Sequence, residues 1–141
     1  MFAPSRGQAR RFLTDAWASY RAGAPLSALE RMAVQIIAAH PEYHTIVETP
    51  DESVEREFRV EDGAVNPFLH LSLHLAIDEQ LSIDQPAGIR AHFERLRASR
   101  GDAHAAQHVL LDCLGEALWN AQRRGGMPDA ARYLECLARQ R

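Results

Sequence analysis

The sequence has no lysine: all sixteen of its basic residues are arginine. That absence excludes Schiff-base catalysis and a Walker-type phosphate loop, both of which need a lysine amine. Net charge is −3, so the basic excess that nucleic-acid binding requires is also missing and no nucleic-acid partner is expected. Cysteine is scarce. Cys113 and Cys136 each sit in an apolar stretch of helical period, and two buried free thiols in a reducing cytosol are expected. No apolar run approaches the ~20 residues of a membrane span, and the opening MFAPSRGQARRFL has no apolar signal core. The expectation is a soluble, unexported, cytoplasmic protein with no membrane partner. Catalytic signatures are missing as well. No Gly-x-Ser-x-Gly or Cys-x-x-Cys occurs, and no Glu follows the first histidine of any His-x-x-x-His pair.

What is present is helix after helix. Ser5 and Gln8 have the spacing of a capping box, and Phe12, Leu13, Ala16, Trp17 and Tyr20 then mark one stripe. A second helix is expected from about Ser27 to His40, and Pro41 opens a short third carrying His44. The acidic stretch 50–65 lacks helical period and reads as a loop, with a short strand at Glu57–Val60. Asn66-Pro67 opens a helix to about Leu81, and Pro86 starts another. Gly101-Asp102 begins the longest helix, closed by Gly125-Gly126, and Pro128 leads into the last. The fold class is therefore all-α: a single domain over residues 1–141, a bundle of six or seven helices with one irregular loop near 50–65.

Six of the seven histidines form three His-x-x-x-His pairs: His40/His44, His70/His74 and His104/His108. On a helix, four residues is a little over one turn, so each pair points two imidazoles the same way, the bite one metal ion needs. Around the helix axis His70 and His74 fall at the centre of the apolar face, between Leu73, Ile77 and Leu81 on one side and Phe68, Leu71 and Leu75 on the other. Burying two imidazoles there without partners would cost on the order of 1–3 kcal/mol each. The later helix repeats the pattern as His104, His108, Asp112, Glu116, a ridge that drifts toward solvent. Gly115 lies on that ridge and is expected to let a neighbouring helix approach. His70 and His104 sit near helix N-termini, where the macrodipole disfavours positive charge, so neutral imidazole, the metal-binding form, is favoured. Pro41 interrupts the first pair, and the lone His92 reads as packing.

The segment NPFLHLSLHLAIDEQLSIDQPAGIR, with the flanking MFAPSRGQARRFLTDAW and GDAHAAQHVLLDCLGEALW, resembles an uncharacterised bacterial family of small helical proteins. The likeness spans essentially the whole chain. It implies no activity, substrate or catalytic residue, because the family is a domain of unknown function. Hemerythrin-like proteins offer an analogy for His and carboxylate ligands in a helical bundle, but their ligand order is only partly echoed.

The expected function is metal binding in a helical bundle. The candidate ligands for a divalent iron or zinc ion are His70, His74, His104 and His108. Asp112 or Glu116 is expected as carboxylate ligand or acceptor behind the ligands, and His40 or His44 as a fifth ligand. Whether the chain is an enzyme is open; if it is, metal-assisted hydrolysis is the expected class, with Glu116 or Asp112 as base and no substrate named. The alternative is a metal-free, non-catalytic interaction module with a buried histidine/carboxylate network, its simplest partner a second copy of itself.

Overall fold

A computed structural model describes residues 6–58 and 66–141, and most of its long helices begin where a short polar side chain can cap them. Ser27 and Glu30 form a reciprocal capping box at the start of one helix. The Asn66 side chain accepts from Leu69 N at 3.1 Å, with Pro67 next to it as the first helical residue. Asp102 accepts from Ala105 N at 2.7 Å, and Asp129 caps the last helix through Ala131 N. Gly125, at φ 70°, ends the longest helix in the left-handed conformation that glycine adopts without penalty.

The resulting elements are α1 (Arg6–Arg21), α2 (Ala28–Ala38), a 3-10 turn (Pro41–Tyr43), α3 (His44–Glu48), α4 (Pro50–Ser53), α5 (Pro67–Ile83), α6 (Ile89–Arg100), α7 (Ala103–Arg124) and α8 (Ala130–Arg139). The all-α class holds, with eight helices and no strand among the described residues. The addition to the expected six or seven is α4, inside the stretch read as a loop. It has Pro50 at its start and Asp51 and Glu52 in its first turn, which suit a helix N-terminus. Four residues are too few to display a period. Of the expected strand, Glu57 and Phe58 have no regular structure, while Arg59 and Val60 lie outside the described residues. Ser5, on which the first capping box rests, lies outside them too. None of the described helices is long and apolar enough to cross a membrane.

The chain falls into two compact units, residues 1–75 and 76–141, with the division inside α5. In the first, α1 packs on α2 and α3 around Leu13, Ala16, Trp17, Ala33, Ile36, Ile37, Val47, Phe68 and Leu71. Each fully buried large side chain there contributes roughly 1.5–3 kcal/mol. Arg10 is only 3% exposed. Its Nη1 donates to the Val54 carbonyl at 2.9 Å and the Arg56 carbonyl at 2.7 Å, and its guanidinium lies 4.9 Å from the Phe68 ring centre. This side chain ties α1 to the segment after α4.

In the second unit α7 packs against α6 and α8 around Ile89, Leu96, Leu110, Leu114, Tyr133 and Leu137. Tyr133 donates to Gln80 at 2.9 Å, and burial pushes its phenol pKa up. Two sequence expectations are corrected here. Cys113 and Cys136 are not free thiols: they form a disulfide joining α7 to α8. Each cysteine is on the apolar stripe of its own helix, and the two stripes meet. Gly115 is not a close-approach point either, since a Cβ there would meet nothing within 4 Å among the described residues.

Candidate metal centre

Helix α5 and the turn that follows α2 deliver three imidazoles to one place. The Asn66 cap and Pro67 set where α5 begins, and its period buries Phe68, Leu71 and His74 while leaving Leu69 outside. His74 is 2% exposed, one turn beyond the half-buried His70. His40 arrives differently. Its α2 stripe of Ala33, Ile36 and Ile37 is buried, and the helix stops at Ala38. Pro41 starts a tight turn, and the His40 backbone, at φ −124° and ψ 66°, folds the ring back inward to 4% exposure.

The three rings form a near-equilateral group. Centroid separations are 5.0 Å for His40–His70, 4.8 Å for His40–His74 and 4.8 Å for His70–His74. Each ring offers a nitrogen, and these nitrogens lie within 4.8 Å of one another. A tetrahedral ion with metal–nitrogen bonds of about 2.0–2.1 Å requires ligand atoms roughly 3.4 Å apart. The largest gap therefore closes when each ring moves by less than about an ångström.

The tautomer of His40 follows from its partner. Nδ1 lies 2.7 Å from the Ile36 carbonyl oxygen, which can only accept, so Nδ1 carries the proton. In the neutral ring the lone pair is then on Nε2. A backbone carbonyl holding one ring nitrogen so that the other faces a metal is the usual support behind a histidine ligand. Tyr43 stacks on His40 at 5.7 Å, nearly parallel, and meets the His70 ring edge-on at 5.8 Å. Burial, with Glu42 adding to it, raises the Tyr43 phenol pKa, so the ring stays neutral beside the imidazoles.

His44 turns away from this group: its Nε2 bonds the Ile37 carbonyl at 2.9 Å and its ring lies 4.7 Å from Trp17. In the second unit His104 is exposed and His108 half-buried, their rings 4.3 Å apart. Asp78 accepts from the Gln107 side chain, and burial raises its carboxyl pKa against that bond. Asp112 and Glu116, expected as ligands or acceptors, are exposed and line a cavity beside the disulfide, with a Glu116 oxygen 3.8 Å from Cys136 Sγ. His92 is half-buried and takes a hydrogen bond from Arg95 at 3.2 Å, so it is a polar contact more than packing. Tyr43 and the Ile36 carbonyl were missed from sequence. Their signal was available in the position of His40, four residues beyond Ile36 at a helix end where carbonyls lack partners.

Residues 5–139 match the model of a family described as a domain of unknown function, DUF1841. No curated protein and no solved structure matches the chain.

Proposed function

Because the chain belongs to the DUF1841 family, whose function is unassigned, we propose from the geometry that it is a metal-binding protein holding one divalent transition ion, iron or zinc. The observation that carries this reading is the group of His40, His70 and His74, with nitrogens within 4.8 Å of one another and two of the three rings buried. Imidazole suits both metals, and a low-polarity surround strengthens each bond to the ion. The proposal also keeps His104 and His108 as further ligands, on their sequence pattern alone. Where only the three imidazoles bind, a coordination position is left for water, and metal-assisted hydrolysis is the reaction such a site supports. A cytoplasmic location belongs to the proposal too, now without the support of free thiols.

The test is elemental analysis of the full chain purified without a polyhistidine tag. One equivalent of metal is expected, falling to near zero in His74→Ala and His40→Ala. Absence of metal, with stability unchanged by chelator or added zinc, would leave the second reading. In that reading the histidines are structural, as the bonds from His40 to Ile36 and His44 to Ile37 suggest. His108→Ala tests the further-ligand clause: retention of full affinity removes it.

A further inference from the structure

The other chemically reactive group is the cystine. Cys113 and Cys136 are 2% and 6% exposed, yet both line two adjoining cavities of about 310 and 280 Å³. The larger cavity is lined by two arginines, Arg132 and Arg139, and two glutamates, Glu116 and Glu135. Besides the cystine, Ala117 is the one apolar residue among the described residues that line it. A disulfide whose role is only to staple two helices has no need of charged cavities at its flanks. Charges of both signs suit a small ligand carrying carboxylate and ammonium groups.

We infer that Cys113–Cys136 is a thiol–disulfide exchange site for a low-molecular-weight cysteinyl thiol, a zwitterion such as glutathione. A thiolate attacks Sγ of Cys136, the less deeply buried of the two residues. The Cys113–Cys136 bond breaks, a mixed disulfide forms at Cys136, and Cys113 leaves as a thiolate that takes a proton from solvent. A second thiolate attacks the small thiol's own sulfur in that mixed disulfide. Cys136 is released and protonated, and the product is the small disulfide. In sum, one protein disulfide and two thiols give two protein thiols and one small disulfide: two electrons enter the protein. Glu116, 3.8 Å from Cys136 Sγ, repels the incoming anion and then accepts a hydrogen bond from the new Cys136 thiol, favouring thiol over thiolate there.

The experiment uses the folded full chain in EDTA, so that no metal takes part and the outcome is independent of the metal proposal. The chain is incubated with glutathione, quenched by alkylation and weighed by mass spectrometry. Exchange in the native state makes the rate first-order in glutathione. A rate that is independent of thiol concentration, or that rises with added urea as the global unfolding constant does, would show a purely structural staple and overturn the proposal. Glu116→Gln is expected to speed the reaction about fivefold at low salt by removing one charge near the attacked sulfur. That gain shrinks as ionic strength rises. An unchanged or slower rate would remove Glu116 from the step. At equal thiolate concentration glutathione should outpace mercaptoethanol, and Arg139→Ala should abolish the difference; no preference between the two would overturn recognition by the cavity.

Discussion

The two units differ in what they bury. Arg10, Thr14, His40, Ser53 and His74 are the buried polar side chains among the described residues, and all five belong to residues 1–75. The second unit buries aliphatic side chains, Tyr133 and a cystine. Each unit ties distant segments together, the first through the guanidinium of Arg10 on two carbonyls, the second through a covalent bond. A cystine asks nothing of its surroundings electrostatically, whereas buried polar groups cost stability unless partnered. The same His-x-x-x-His-x-x-x-Asp spacing in α5 and α7 has two outcomes. In α5 it starts in the middle of a buried stripe; in α7 it starts at an exposed His104.

The contrast can be broken by substitution. The largest effect is expected from His74→Ala, which removes bound metal almost completely, read by elemental analysis and by loss of stabilisation on adding zinc. Arg10→Ala should destabilise the fold by about 3 kcal/mol, since two carbonyls lose charge-assisted bonds, as measured by urea unfolding; a change below about 1 kcal/mol would mean the clamp is incidental. Reducing the disulfide, whose cysteines are 23 residues apart, should cost roughly 3 kcal/mol in the loop-entropy account. Paired unfolding curves with and without reductant would check it.

Two smaller effects sharpen the comparison. Burial raises the Asp78 carboxyl above its usual 3.8, with the Gln107 bond opposing. The folded state thus holds that proton to higher pH than the unfolded state. Its contribution is present below about 3.8 and is lost as pH rises through the folded value. Asp78→Asn should therefore gain stability at pH 7, by less than about 1 kcal/mol because the group is partly solvated, and the gain should vanish near pH 3. A gain that persists at pH 3 would contradict the sign. The smallest effect belongs to His104→Ala, expected to change stability by less than about 0.5 kcal/mol as an exposed side chain; a loss as large as that of His74→Ala would erase the distinction between the two doublets.

Much of this was legible beforehand where the signal is local. Asn66-Pro67, Asp102 and Gly125 mark helix ends in the chain and in the structure alike. The placement of His74 on a buried face follows from α5 periodicity alone. His40 was harder. Pro41 removed the helical register that would have linked it to His44, and only the backbone turn at His40 sends its ring toward His70 and His74. The cystine and α4 were misread for related reasons. Cys113 and Cys136 each look like ordinary apolar positions, and a four-residue helix shows no repeat.

The order of residues by itself determined that the chain is helical, where most helices start and stop, and which faces they bury. Caps, prolines and a 3.6-residue period act over a few residues, so their physics is written along the chain. Only tertiary structure decided which imidazoles gather, that His44 turns to Ile37 instead, and that the two sulfurs bond. Those outcomes depend on how one helix is rotated and seated against another, which is set by side chains far apart in sequence packing at close density.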